Sequence, residues 1–136
     1  MSKPVISVAG PEHGNAIREL ICADHWHGLE AIDWSDLAGQ WCIVTLDKTI
    51  GACVQLLPGR PLGRIEHMGL AGWLSKRERA QVVGMIITYG CALLKIAGCQ
   101  AVLTSVPHDL KGYRRVLERR GAVEICDTRM MIKRLV

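Results

Sequence analysis

The sequence predicts a mixed α+β sandwich, with a central, mostly antiparallel sheet of six to seven strands flanked by three to four helices. Two observations carry most of this. The middle of the chain is a series of apolar, β-branched runs broken by short turns, and it is followed by a long stretch in which apolar residues recur at three and four. A third is the order of elements at both ends. With 136 residues and no linker, repeat or low-complexity stretch, the chain is expected to form one domain, residues 1–136.

Taken in order, Val5-Ile6-Ser7-Val8-Ala9 is a short apolar run closed by Gly10-Pro11. Pro11 suits the first turn of a helix carrying Ile17, Leu20 and Ile21. Leu29 to Gly39 reads as a short helix or an ordered loop, since Leu29, Ile32 and Leu37 keep helical spacing among the capping residues Asp33, Ser35 and Asp36. Trp41 to Leu46 and Ile50 to Leu57, separated by Asp47-Lys48-Thr49, read as a hairpin. A turn at Pro58 to Gly63 leads into a third antiparallel strand, Arg64 to Leu70. Ser75-Lys76-Arg77-Glu78 is a capping-box pattern, in which the Ser75 hydroxyl and the Glu78 carboxylate satisfy each other's exposed backbone donors. The long helix it opens carries Val83, Ile86, Ile87, Gly90, Leu93, Leu94 and Ala97 on one side, and Gly98 ends it. Ala101 to Val106 is a buried-type strand, and Pro107-His108-Asp109 starts a helix that runs to about Arg120 and stops at Gly121. Ala122 to Ile125 and Arg129 to Val136 read as a final hairpin.

Composition narrows the function classes. With 49% apolar and 22% charged residues the chain is globular, not disordered or fibrous, and the low charge for so small a surface leaves apolar area to face a partner. The net charge of +4, at a pI near 8.8, falls short of a dedicated nucleic-acid binder. The six cysteines form no C-x-x-C pair and read as reduced core thiols, which implies a cytoplasmic or capsid-interior setting. The N-terminus lacks the apolar stretch of a signal peptide, and no run of uninterrupted apolar residues approaches a membrane span.

The order of elements, the capped helix after the strand ending at Leu70, and the closing Leu117-Glu118-Arg119-Arg120-Gly121-Ala122-Val123 resemble the Gcn5-related N-acetyltransferase (GNAT) fold over essentially the whole chain. The resemblance implies acetyl-CoA as cofactor, held by a loop of pattern [Q/R]-x-x-G-x-[G/A] whose backbone N–H groups close on the pyrophosphate. In this chain the matching positions are Arg77, Glu78, Arg79, Ala80, Gln81 and Val82, so alanine stands for the first glycine and β-branched Val82 for the last small residue. Val82 is expected to crowd the phosphates. If the chain is an enzyme, the resemblance implies cofactor contacts at Leu70, Arg77, Arg79, Ala80, Gln81 and Val82.

The family's second pattern, N-x-x-[A/S]-x-x-[L/F]-Y-x-x-x-G-F, aligned on Gly121, finds Leu110, Tyr113, Leu117 and Ala122 in place of its asparagine, small residue, tyrosine and phenylalanine. Leucine cannot give up a proton; Tyr113, one helical turn earlier on about the same face, is either a displaced acid or an aromatic packed over the sheet. Glu66 or His67 could be the general base that deprotonates an amine. Because neighbours on a strand face opposite ways, at most one of the two is expected to point into a cleft. His67 reads better as a satisfied, partly buried histidine.

Each altered position has moved from a functional residue type toward one that packs. In this the chain resembles the small internal virion proteins of short-tailed phages, a reduced form of the same fold with a Leu-x-x-x-Gly-Ala-Val segment like Leu117 to Val123. The leading expectation is therefore a non-catalytic structural or protein-binding subunit, of a phage virion, that takes no cofactor and binds protein partners in an assembly. The alternative is an active acyl-CoA-dependent N-acetyltransferase with Glu66 and Tyr113 as catalytic residues and a splayed cleft between Arg64–Leu70 and Ala101–Val106.

Other constellations weigh less. His25-Trp26-His27 is a weak metal pattern, because on a helix its two imidazoles diverge, and no metal site is expected. Cys42, Cys53, Cys91 and Cys99 lie in apolar runs, which suits packing better than thiol catalysis. Lys111, Arg114, Arg115, Arg119 and Arg120, with Lys133 and Arg134, could meet nucleic-acid phosphates, but Glu118 interrupts them and no stacking aromatics accompany them. Trp26, Trp34, Trp41 and Trp73 are core anchors or interface hot spots.

Overall fold

A computed structural model describes residues 3–24, 40–106 and 111–125. Its elements are β1 (Val5–Val8), a single 3-10 turn (Pro11–His13), α1 (Gly14–Asp24), β2 (Trp41–Leu46), β3 (Thr49–Leu57), β4 (Leu62–Leu70), α2 (Lys76–Ile96), β5 (Ala101–Thr104) and α3 (Lys111–Arg119). The sheet runs in sequence order, β1-β2-β3-β4-β5, antiparallel as far as β4. Among the described residues, β4 and β5, joined through α2, are the parallel pair.

The mixed α+β class stands, with five strands among the described residues instead of six to seven. Ala122 to Ile125 form no strand, and Arg129 to Val136 lie outside the described residues, as do the expected 29–39 helix, the His25-Trp26-His27 group, Leu110 and the Pro107-His108-Asp109 helix start.

The central strands are apolar on both faces because helices cover both. On β2 and β3, Cys42, Val44, Leu46, Ala52, Val54 and Leu56 pack with Val82, Ile86 and Leu94 of α2. The alternate residues Trp41, Ile43 and Cys53 pack with Ile17 and Ile21 of α1. A third cluster joins Val83 and Ile87 of α2 to Leu117 of α3, with Tyr113 against it. By length and composition α2 could cross a membrane, but its buried residues are those that pack on the sheet and on α3.

Both ends of α2 follow the sequence signals. Ser75 and Glu78 form the reciprocal box, and at the far end Gly98 takes φ +97 while Cys99 N–H donates to the Leu94 carbonyl and Gly98 N–H to that of Lys95. Gly121, at φ +89, closes α3 in the same way: Ala122 N–H donates to Leu117 and Gly121 N–H to Glu118. These caps fix both ends of α2 and the C-terminal end of α3 relative to the sheet.

Candidate functional site

The site is built where β4 and β5 part. Their parallel pairing runs from Leu62–Ala101 to Ile65–Thr104, and there β5 ends while β4 continues to Leu70. Glu66 is thus the first β4 residue beyond the last shared pair.

At the same point β4 bulges. Gln55 of β3 faces Glu66 and Cys53 faces Gly69, so two steps along β3 match three along β4, and His67 takes up the extra residue at φ +53. A histidine in the left-handed region is held there by its surroundings. Its Nδ1 lies 2.8 Å from Gln55 Oε1, the Gln55 amide donates to Gln40 Oε1 at 3.4 Å, and the Trp41 ring lies 6.3 Å away, tilted 41°. Gln55, only 6% exposed, is the buried polar residue among the described residues.

The bulge overturns the expectation that Glu66 and His67 face opposite ways. Directly opposed residues share a face, which puts Glu66 on the face of Gln55, and the Gln55 hydrogen bond holds His67 on the same side. That is the α1 side, where Leu20 backs Gly69. Burial raises the Glu66 pKa above its usual value, with Arg64 pulling the other way. Burial lowers that of His67 and keeps the ring neutral. His67 is the partly buried, hydrogen-bonded histidine the sequence suggested.

Tyr113 approaches from the other face. It packs against the Val83, Ile87 and Leu117 cluster that also gathers Met68, Leu70 and Val106, and its hydroxyl lies 2.9 Å from Thr104 Oγ1, at the last paired residue of β5. Burial raises its pKa; the Thr104 bond opposes this, and the Glu66 and Cys91 charges add to it. The Glu66 field therefore reaches the phenol across the fork of the two strands. A carboxyl on one face and a phenol on the other flank the point of divergence, an arrangement suited to taking a proton on one side and giving one on the other.

The phosphate end is different. All six positions matched to the family loop, Arg77 to Val82, lie inside α2. Ser75 Oγ accepts from Glu78 N–H at 3.1 Å, Glu78 Oε1 accepts from Ser75 N–H at 3.0 Å, and Arg79 N–H already donates to the Ser75 carbonyl at 2.9 Å. From Arg79 onward the amides are engaged along the helix axis, so N–H groups of residues 79–84 do not turn toward the cleft as an acetyl-CoA cradle requires. The Ser75 donors hold the Glu78 carboxyl below its usual pKa, placing a fixed negative charge at the turn where the pyrophosphate would lie.

Val82 does not stand where the family loop implies. Its side chain is fully buried in the α2 core cluster, turned away from the helix surface, so it packs the sheet and does not crowd a phosphate path. Arg77, Arg79, Ala80 and Gln81 are exposed, and Leu70 is half-buried at the end of β4. Of the matched positions, Glu78 and Arg79 thus already have backbone N–H partners at Ser75.

Sequence reasoning missed Gln55, Thr104 and the bulge. Gln55 had a signal, a polar residue inside an apolar strand; Thr104 and the bulge had none. It also placed Cys91 in the core, but Cys91 is exposed on α2, while Cys42 and Cys53 are buried with pKa values raised to about 11 and about 12, too high for thiol catalysis.

No family model and no curated protein sequence matches the chain. Solved structures do. Aminoglycoside N-acetyltransferase AAC(6')-Iy in complex with CoA superposes with a TM-score of 0.71 at 14% identity, over 99% of this chain and 97% of that one. Ribosomal-protein-alanine N-acetyltransferase from Brucella melitensis gives 0.68 at 11%, over 96% and 100%. The C-terminal condensation domain of Ebony, in complex with beta-alanyl-dopamine, gives 0.73 at 12%, over 89% and 83%. The chain has the GNAT fold. At these identities the likeness carries the fold and no activity, and its neighbours include both proteins bound to CoA and a condensation domain.

Proposed function

We propose that this GNAT-fold chain is a non-catalytic, protein-binding subunit that does not take up acetyl-CoA. The observation that supports this reading is the start of α2, where the Ser75–Glu78 box and a regular helix stand in place of a phosphate-binding loop. The resemblance to internal virion proteins makes a short-tailed phage particle the assembly in which to look for its partners. Calorimetric titration of the full chain with acetyl-CoA and CoA tests the reading: no heat is expected up to millimolar ligand, and a micromolar dissociation constant overturns it.

One observation favours a second reading, an N-acetyltransferase acting on an amine. Glu66 and Tyr113 flank the strand fork from opposite faces, and burial raises the Glu66 pKa, which strengthens it as a base. Micromolar acetyl-CoA binding would select this reading over the first.

A further inference from the structure

Beside the closed helix start, the surface carries a depression of about 320 Å³ lined by Leu46, Asp47, Thr49, Trp73 and Glu78. Its aromatic wall is unusual for a surface: Trp73 is 54% exposed, although the chain has only six aromatic residues of the Trp and Tyr types. The indole is seated by design of the neighbouring strand. A Cβ on Gly51 would come within 3.2 Å of Trp73 Cη2 and 2.9 Å of Leu46 Cδ1, so the missing side chain gives the ring its place against β3.

Two carboxylates complete the lining, and none of its residues is cationic. Asp47 reaches it from the β2–β3 turn, where Asp47 and Lys48 hold φ of +49 and +66. Glu78 reaches it from the first turn of α2, where Ser75 fixes one of its oxygens. An exposed indole with two carboxylates in the same lining attracts an organic cation through both charge and the ring quadrupole. An aliphatic stem could lie along Thr49 and the exposed Trp73 ring.

We propose that this depression is a docking site for a lysine or arginine side chain of a partner polypeptide. The proposal rests on the protein-binding reading above and gives that partner its chemistry. It adjoins the first turn of α2, and the charged side chains that line it, Asp47 and Glu78, are both acidic.

The test is an NMR titration of the full chain with Ac-Gly-Lys-Gly-NH2, Ac-Gly-Arg-Gly-NH2 and the neutral Ac-Gly-Nle-Gly-NH2, following the Trp73 indole N–H. The cationic peptides should shift it saturably and the norleucine peptide should not. The double variant Asp47→Asn, Glu78→Gln should weaken binding roughly tenfold, the effect of two partly exposed ion pairs. Both replacements suit their backbones, since asparagine tolerates the left-handed turn and glutamine serves in the capping box, and an unchanged melt confirms the fold. No saturable shift, equal binding of the norleucine peptide, or an unaffected double variant would each overturn the docking site. Acetyl-CoA calorimetry keeps the two claims apart: silent peptides with silent acetyl-CoA remove the docking site alone, and micromolar acetyl-CoA binding removes the protein-binding reading whatever the peptides do.

Discussion

Replacing Val82 by glycine restores the family's small residue on paper, and the structure gives a definite expectation for it. Val82 is fully buried between α2 and the sheet, among Val44, Leu46, Leu74 and Ile86. Removing the side chain gives up about 2 kcal/mol of apolar burial. The unfilled space adds on the order of 1 kcal/mol, because the rigid strands beneath collapse only in part. Glycine in a helix interior costs roughly 0.5 kcal/mol more than valine. Val82→Gly should therefore lose about 3.5 kcal/mol, a fall in Tm on the order of 10 °C. Urea unfolding, with the loss read from the midpoint at an unchanged slope, measures it. The variant should gain no affinity for acetyl-CoA in calorimetry. A loss below about 1 kcal/mol, or a new micromolar affinity, would refute the inward orientation of Val82 and the reasoning built on it.

Glu66→Gln should raise Tm at neutral pH: burial raises the folded pKa, so the ionised carboxylate weakens the fold, and the advantage of glutamine should vanish as pH falls below the ordinary value of 4.5. An equal Tm at pH 7 would remove the desolvation argument. His67 acts in the opposite sense: its depressed folded pKa contributes stability above 6.5 that is lost as pH falls through the folded value, so His67→Gln should flatten the melting profile as pH falls below 6.5. Two glycines of α2 should part company. At Gly84 a Cβ meets only the flexible end of Arg120, at 3.0 Å, and Gly84→Ala should stabilise by about 0.5 kcal/mol through helix propensity. At Gly90 it meets Leu56 Cδ2 at 3.0 Å and Ile65 Cδ1 at 3.4 Å inside the core, and Gly90→Ala should destabilise by about 1–2 kcal/mol. Chemical denaturation of both variants checks the contrast, and the same sign for both would contradict the packing.

Much of the fold was legible because local signals and burial agreed. The Ser75–Glu78 box, Gly98 and Gly121 each name a helix end through a backbone requirement that few residues meet. The meander was legible from runs such as Trp41 to Leu46, which are apolar at every position because helices cover both faces. The site was less so. The bulge at His67 is a matter of register between two strands, and nothing local in Arg64 to Leu70 demands it; yet it decides that Glu66 and His67 share a face. The placement of Val82 was hidden for a related reason. Matching it to a loop position ignored that the same capping box, already visible in the sequence, starts the helix at Lys76 and rotates Val82 into the core.

The most direct test of the account is residue by residue at the start of α2. In a 15N-labelled sample titrated with acetyl-CoA to millimolar concentration, the backbone amides of Ser75 to Gly84 and the Tyr113 resonances should stay where they are. Saturable shifts at those amides, accompanied by Tyr113, would mean that the helix start opens to receive the cofactor, and the protein-binding reading would give way to the acetyltransferase.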